Sequence, residues 1–463
     1  MIPFNFDLDV PEAVMALLSV LSAHGFEAYL AGGCVRDSLM GRAPRDWDVA
    51  TSASPDQAAA LFPAHDVIGT GIKHGTIMVL MHGEAMEVTT FRGPAGSLED
   101  DLSRRDLTVN AMAWGPERGL VDPFDGAGDI RRGLIRATGD PDARFREDGL
   151  RVLRALRFAS AFGWSIEADT AAAIHRDREL LLGVAPERIQ VELTQMLCGP
   201  GVCPLLLEYG DVLAVPMPEL TPLFGFDQRN PHHLMELWGH TAAVVNAAPP
   251  EPVLRWAALL HDIGKPDRFT LDEEGIGYFY GHAPRSAEIA EDVMERLRFD
   301  NATSQRATLL VARHEDLPWG SVPHMRRTIR RMMSAHGPEA TAQLIALRRA
   351  DMAGHAPEPE ALAACGRAED LLHELQEEGA CLTLRDMAVR GGDLLGMGYE
   401  GRALGAALAF LLEAVVDERV PNEREALMSY LREHGEGPRG RSTCQSGGPQ
   451  DTGAGPSRSA GTS

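Results

Sequence analysis

Gly32-Gly33-Cys34-Val35-Arg36-Asp37, followed closely by Asp46-Trp47-Asp48-Val49-Ala50-Thr51, is the stretch on which the reading of this chain turns. Two adjacent glycines let backbone N–H groups approach a polyanion with no side chain between them, and Arg36 adds a positive fork. Asp48 to Thr51 reads as a strand. Residues two apart on a strand leave from one face, so Asp46 and Asp48 address the same volume. Paired carboxylates of that kind suit Mg²⁺, which keeps positions open for phosphate and water. Two such ions fit nucleotidyl transfer, one for the attacking hydroxyl and one for the triphosphate and the departing pyrophosphate. An Asp-x-Asp alone is also at home in a strand-end turn, so the weight falls on the segments around it.

Downstream, Lys73-His74-Gly75-Thr76 opens an apolar run to Met81, Ala85 to Phe91 alternates, and His82-Gly83 turns the two into a hairpin. Arg104-Arg105-Asp106 then leads into an apolar segment. Arg105 is placed for a triphosphate, and Asp106 reads either as a third acidic group near the metals or as a helix cap. From Arg144 to Phe158, the residues Asp148, Arg151, Arg154 and Arg157 recur every three positions as a drifting stripe on one expected helix, with Leu150, Val152, Leu153 and Leu156 on its buried side. Such a stripe is commonly a solvated face. Three stacked guanidiniums nevertheless repel one another unless something anionic lies across them, and a nucleotide would serve.

Taken in order, GGCVRD, DWDVAT, KHGT, RRDLTVNAM, LVDPFDG and RFREDGLRVLRALRF resemble the class II tRNA nucleotidyltransferases, the family of CCA-adding enzymes and bacterial poly(A) polymerases. These share the catalytic head of the DNA polymerase beta superfamily. The resemblance runs from about residue 25 to 200. It implies that Gly32, Gly33 and Arg36 contact the incoming nucleotide, that Asp46 and Asp48 hold Mg²⁺, and that Arg105 touches the triphosphate. Asp148 and Arg151 match the pair that reads the base edge, with Arg154 and Arg157 behind them. The implied partners are the tRNA 3′ end, CTP and ATP. Only Arg92-Gly93-Pro94-Ala95-Gly96-Ser97 stands where members that build the whole CCA end carry a flexible loop. That shortening resembles the form that adds CC, working with a companion A-adding enzyme. A poly(A) polymerase is the alternative within the family, although its basic-aromatic stretch ahead of Arg104-Arg105 is missing.

A second constellation begins near His232-His233 and comprises His240, His261-Asp262, His282, His314 and Asp351. Imidazoles mixed with carboxylates suit a divalent ion such as Mn²⁺, Ni²⁺, Fe²⁺ or Mg²⁺. The joined His-Asp between an apolar helix and a Gly-Lys turn resembles the HD-family phosphohydrolases. That resemblance implies His240, His261, Asp262 and Asp351 as metal ligands, His282 and His314 as neighbours, and Lys265 as a phosphate contact. It also raises the alternative that the protein is mainly a metal-dependent phosphohydrolase.

The expected fold class is α+β and mostly α: a polymerase-beta-like head of small sheet plus helices, then helical RNA-binding, HD and tail regions. The expected divisions are 1–137 for the head, 138–225 for the base-recognition and RNA-binding neck, 226–355 for the HD domain, 356–435 for a tRNA-binding tail and 436–463 for a disordered end rich in Gly, Ser, Pro and Thr. Pro200 to Asn230 reads as the crossing into the HD domain. A net charge of −23 argues against a nonspecific nucleic-acid binder but not against tRNA, because phosphate binding depends on local charge. Residues 131–157 carry eight arginines against four acids, and Arg326, Arg327, Arg330 and Arg331 form another basic group. No apolar run approaches a membrane span, and Met1 to Val10 lacks a signal core, so a cytoplasmic location is expected. The six cysteines lack Cys-x-x-Cys spacing and are expected to be thiols. Oligomeric state is left open.

Overall fold

The computed structural model describes residues 8–63, 66–68, 75–230, 235–316, 320–352 and 359–435. Lys73, His74, His232, His233 and the expected disordered end lie outside them. Contacts divide the chain into two compact units, Met1–Leu317 with Ala342–Gly366, and Pro318–Thr341 with Arg367–Ser463.

The first unit opens with the helix Glu12–Ala23, whose Val14, Leu17, Leu18 and Leu21 recur at helical spacing and are buried. Seven strands follow among the described residues: β1 (Ala28–Ala31), β2 (Trp47–Thr51), β3 (Asp66–Ile68), β4 (Thr76–Met81), β5 (Glu84–Thr90), β6 (Ala113–Gly115) and β7 (Gly119–Val121). Their order across the sheet is β3-β4-β5-β2-β1-β6-β7. The β4–β5 hairpin turns at His82 and Gly83, both at positive φ, as its two-residue loop requires. β2 pairs in parallel with β5, which sets Asp48 directly beside Glu87.

Alternation along β2 splits the sheet into two faces. Trp47 and Val49 join a core under Glu12–Ala23 with Leu30, Met86 and Val88. On the opposite face Ala50 and Ala31 pack with Tyr29, Phe91, Leu98 and Leu102, the last two from the short helix Leu98–Ser103. Asp46 and Asp48 belong to this second face, where that helix leaves an edge of the sheet open.

Beyond the sheet the unit is nearly all helical. The expected single helix over Arg144–Phe158 is two, Pro141–Glu147 and Leu150–Phe162, broken at Asp148, whose backbone is extended (φ −153°, ψ 106°). Asp148 Oδ1 accepts the N–H of Leu150 at 3.1 Å, so the aspartate closes the start of the second helix instead of riding on it. Gly149 is required there: a Cβ would lie 2.7 Å from the Leu180 carbonyl oxygen. Leu150–Phe162 packs on the helix Pro186–Leu197. Pro200 to Asn230, the stretch leading toward the HD domain, is structured. It folds into the helices Val202–Glu208 and Gly210–Leu213 and a 3-10 turn Pro218–Leu223, burying Leu205, Leu206, Tyr209 and Leu220. The apolar content of its Leu-rich run outweighs its prolines and glycines. Helices Leu237–Ala247, Pro252–Leu260, His282–Arg296, Asn301–Arg313 and Pro338–Asp351 then surround the second constellation, with a small ribbon pairing Thr270–Leu271 to Gly277–Tyr278.

The second unit holds helices Val322–His336, Gly401–Val416 and Arg424–His434 around Leu394, Tyr399, Leu411, Val415 and Leu427. Its basic group is largely spent within the unit. Arg326 pairs with Glu378 and Glu418, Arg330 with Glu418 and Arg331 with Asp417. Among the described residues no helix is long and apolar enough to cross a membrane. Cys34, Cys198, Cys203 and Cys381 are free thiols.

Candidate active site

A pocket of about 460 Å³ opens beside β2 and β5, lined by seven arginines (36, 92, 104, 105, 151, 154, 188) and five carboxylates (48, 87, 101, 106, 148). In a chain of net charge −23 this is a local positive excess of the kind a triphosphate needs. Of the residues singled out from sequence, Gly32, Gly33, Arg36, Asp48, Arg105, Asp106, Asp148, Arg151 and Arg154 line it. Asp46 is exposed one residue ahead of β2 and Arg157 is half-buried on the helix Leu150–Phe162, neither of them lining the pocket.

The double glycine has a steric reason. Gly32 sits at φ +81°, and a Cβ there would fall 2.5 Å from Arg105 Nη1, so only glycine lets that guanidinium lie against the loop. Arg105 is held by Asp101, which accepts from its Nε and Nη2 at 3.2 and 3.1 Å. Arg36 is nearly buried, donates to Asp37 and to Asn110 Oδ1, and lies over the rings of Phe158 and Phe162. Both arginines therefore present a fixed positive face to the pocket.

The carboxylate side is crowded. Burial and the adjacent Glu87 push Asp48 up to about 6, with Asp46 adding to the effect and Arg105 and Arg36 opposing it. Glu87 was missed from sequence, since its proximity follows from the β2–β5 register. Its signal was an acid at an alternating position of the expected second hairpin strand. Asp48 and Glu87 stand side by side in the pocket, with Asp46 exposed just ahead of β2, and carboxylate oxygens of this kind suit a hard divalent cation.

Asp106 lines the same pocket with its carboxylate engaged by protein donors. It is buried, accepts from the N–H of Leu107 and from Asn110 Nδ2, and takes Arg154 Nε at 2.7 Å. The arginine stripe, expected to need a nucleotide to relieve its repulsion, is neutralised by the protein itself. Arg154 bridges Asp106 and Glu192, Arg157 Nε donates to Glu192 at 2.5 Å while lying over Phe158, and Arg151 pairs with Glu147. Arg151 also donates to the carbonyl oxygens of Arg144 and Arg104. Asp148 pairs with Arg188 at 2.7 Å, another residue not singled out from sequence. The segment after β5 is short and tied down: Asp101 accepts from the N–H of Arg92 and Asp100 from that of Ala95.

The second constellation assembles fully. Asp262 is central: its Oδ2 lies 3.3 Å from His240 Nε2 and 3.2 Å from His261 Nε2, and its Oδ1 lies 3.2 Å from His282 Nε2 and 3.7 Å from His314 Nε2. Asp351 Oδ1 approaches His240 at 3.1 Å. The donors form two groups of three, His240–His261–Asp351 and Asp262–His282–His314, all buried. His282 and His314 therefore stand as close to the centre as the four expected ligands. His261, His282 and His314 each direct Nδ1 at a backbone carbonyl three residues earlier, which leaves every Nε2 aimed inward for a metal. Against burial, the Asp262 and Asp351 carboxylates raise His261 to about 10, while burial and the charge on His261 lower His314 to about 3. A mixed N/O set of this kind fits first-row divalent ions. Lys265 donates to Gln228 Oε1 and pairs with Asp262 at 2.7 Å, and it lines a pocket of about 290 Å³ that also reaches Arg348 and the stacked Tyr278 and Tyr280.

Comparison with known proteins gives four family matches along the chain. They are the Poly A polymerase head domain over residues 28–136, the probable RNA and SrmB-binding site of polymerase A over 163–222, the HD domain over 233–353, and the putative tRNA nucleotidyltransferase domain 2 over 362–431. The CCA-adding enzyme of Limosilactobacillus fermentum is 44% identical over 205 residues, which span 41% of this chain and 51% of that protein. The match thus covers about half the length of that relative. The CCA-adding enzyme of Lactiplantibacillus plantarum is 32% identical over 451 residues, 91% of this chain and 96% of that protein. Among solved structures, the Bacillus stearothermophilus CCA-adding enzyme in complex with CTP superimposes with a TM-score of 0.70 at 29% identity, covering 91% of this chain and 96% of that one.

Proposed function

Because the chain belongs to the CCA-adding enzyme family and joins a nucleotidyltransferase head to an HD domain, we propose that it is a tRNA nucleotidyltransferase that adds CMP to the 3′ end of tRNA. Protein side chains act as the template. The observation that carries this reading is the single pocket in which Asp48 and Glu87, Arg36 and Arg105, and Asp148 converge. Asp46, Asp48 and Glu87 would hold Mg²⁺, which when bound supplies Lewis-acid activation of the terminal hydroxyl and charge neutralisation on the triphosphate. Arg36 and Arg105, pre-oriented by Asp37, Asn110 and Asp101, bind phosphate oxygens without reorganising. Asp106 positions Arg154.

Asp148 faces the base edge. A carboxylate accepts from the exocyclic amine of cytosine or adenine and meets the carbonyl of uracil or guanine oxygen to oxygen. Asp148→Ala is expected to relax selection of CTP and ATP over UTP and GTP by about tenfold, the cost of one charge-assisted hydrogen bond. Unchanged selectivity in single-nucleotide incorporation would refute the role.

The short segment Arg92–Ser97, held by Asp100 and Asp101, supports a CC-adding form working beside a separate A-adding enzyme. With a tRNA lacking its 3′ end and labelled CTP and ATP, the pure protein is expected to stop after two cytidines. Full CCA synthesis would overturn that. The HD region is proposed as a phosphohydrolase, with His240, His261 and Asp351 holding one divalent ion and Asp262, His282 and His314 a second, Mn²⁺, Ni²⁺ and Mg²⁺ being suited to the site.

A further inference from the structure

We propose that Tyr280, backed by Tyr278, is a stacking platform for the base of a mononucleotide whose phosphate enters the HD pocket. The inference rests on the reading of that pocket as a phosphohydrolase centre, and it names what the centre selects. Tyr280 is 80% exposed, more than any other large apolar side chain among the described residues, whereas Tyr29, Tyr209 and Tyr399 are buried. A single ring left in water is ordinary on a protein surface, so its position carries the argument. Tyr278 and Tyr280 line the same pocket of about 290 Å³ as the candidate metal donors Asp262 and His282 and the cations Lys265 and Arg348.

The two rings lie nearly parallel, 6° apart in plane with centroids 5.5 Å apart, an offset stack. One face of Tyr280 is covered by Tyr278, and its exposure leaves the other in water. The segment that carries them is pinned from behind. Gly277 donates its N–H to the Arg229 carbonyl at 2.8 Å and accepts from Asn230 Nδ2 at 3.0 Å, and a Cβ at 277 would fall 2.2 Å from the Gln228 carbonyl oxygen, an approach only glycine permits. Between the tyrosines, Phe279 is buried against Phe269, with Lys265 Nζ 5.1 Å from its ring. Two residues separate Tyr280 from His282, at most about 7 Å of chain, so the open ring and the metal donors stand within the length of one nucleotide.

The ring supplies what the cations lack. Lys265 and Arg348 attract any phosphate and do not tell a nucleoside ester from a sugar ester. Stacking adds a preference for a planar base, and because every base has a π face it is indifferent to which base is present. The centre is therefore assigned to mononucleotides as a class, in contrast to the edge reading proposed for the head. Cleavage there forms a P–O bond from a water oxygen and breaks the P–O bond to the ribose oxygen, which leaves as a hydroxyl with a proton from that water. The products are a nucleoside and inorganic phosphate.

The test uses ethenoadenosine 5′-monophosphate, whose fluorescence changes when its base stacks on an aromatic ring. It is mixed with the full-length, Mn²⁺-loaded protein, with CTP present to occupy the head, and binding is read by stopped flow before turnover. Tyr280→Ala is expected to raise the half-saturating probe concentration about tenfold, and Tyr280→Phe, which keeps the ring, to leave it within about twofold of wild type. In the wild type, ribose 5-phosphate, which has no base, should need at least about tenfold more than AMP to displace the probe. The proposal fails if the wild type does not bind the probe, if Tyr280→Ala binds it equally well, or if ribose 5-phosphate competes as well as AMP. Hydrolysis of AMP and of ribose 5-phosphate is measured alongside. Cleavage of both with equal kcat/KM, unaltered in Tyr280→Ala, refutes the platform and leaves the hydrolase reading standing. Ring-dependent probe binding without cleavage of either ester refutes the hydrolase reading and leaves the platform.

Discussion

Replacing Asp48 with Asn is expected to abolish nucleotide addition while making the metal-free protein more stable at neutral pH. The first effect follows from losing a carboxylate at the cation-binding edge, and should be on the order of 10³-fold or more. The second follows from electrostatic crowding. Burial and Glu87 raise Asp48 to about 6 in the folded state, against 3.8 for a free aspartate. The sign is that of an acid whose folded pKa is raised. Its favourable contribution is complete below about pH 4 and is lost as pH climbs through about 6. At pH 7.5 the ionised group therefore costs the metal-free fold up to about 3 kcal/mol, which the neutral amide removes. Thermal denaturation without divalent ions should show Asp48→Asn melting a few degrees higher at pH 7.5, the difference shrinking as pH falls and vanishing below about pH 4. Added Mg²⁺ should stabilise the wild type and not the variant. A variant that turns over normally, or that melts lower than wild type at pH 7.5 without metal, would refute the assignment.

Removing Asp262 should have a comparably large effect at the other centre, with the opposite sign for stability. Its two oxygens are shared among four imidazoles and Lys265, every one of them buried. Asp262→Ala leaves Lys265 buried without its counter-charge, a loss of about 3–5 kcal/mol. It also removes a ligand from one group of three and the link between the two groups. Metal content should fall, and metal-dependent hydrolysis of a simple phosphate ester should disappear, while CTP incorporation into tRNA persists. The double change Asp262→Ala with Lys265→Met separates the two consequences, because an apolar side chain of similar length removes the stranded charge and should recover stability without recovering metal. His261→Ala provides a third reading: hydrolysis lost, nucleotide addition spared. Retention of full hydrolysis in any of these variants, or loss of both activities in a folded one, would overturn the division of labour between the two sites.

Much of the candidate site's sheet edge was legible in the residues themselves. The strand Trp47–Thr51, the hairpin around His82-Gly83 and the shared face of Asp46 and Asp48 follow from alternation and turn chemistry within short windows. Glu87 offered only an acid at an alternating strand position, because its place beside Asp48 depends on a parallel register between strands far apart in sequence. The same limit applies to the arginines. Periodicity placed Arg151, Arg154 and Arg157 on one helix but could not show that Glu147, Asp106 and Glu192 would neutralise them, since Asp106 and Glu192 arrive from other segments. Arg326, Arg330 and Arg331 read as an open basic group for the same reason, with their acidic partners 50 to 90 positions away. The helix break was readable in principle. Asp148-Gly149 before an apolar run is a helix-start signature, overlooked because the threefold recurrence of charged residues carried through it. At the second centre the ligand types were clear from the joined His261-Asp262. The equal standing of His282 and His314 emerged only once both oxygens of Asp262 could be followed in space.

The Asp106–Arg154–Glu192 relay has a consequence for how such proteins can be taken apart. The head matched over residues 28–136 looks separable, yet its buried Asp106 finds its counter-charge on a helix that begins at Leu150. A fragment cut at the matched boundary would leave that carboxylate without its guanidinium partner, and a foreign segment grafted behind it would have to bring its own to the same spot. The residues proposed for metal binding and those proposed for base reading are thus tied together by one ion pair.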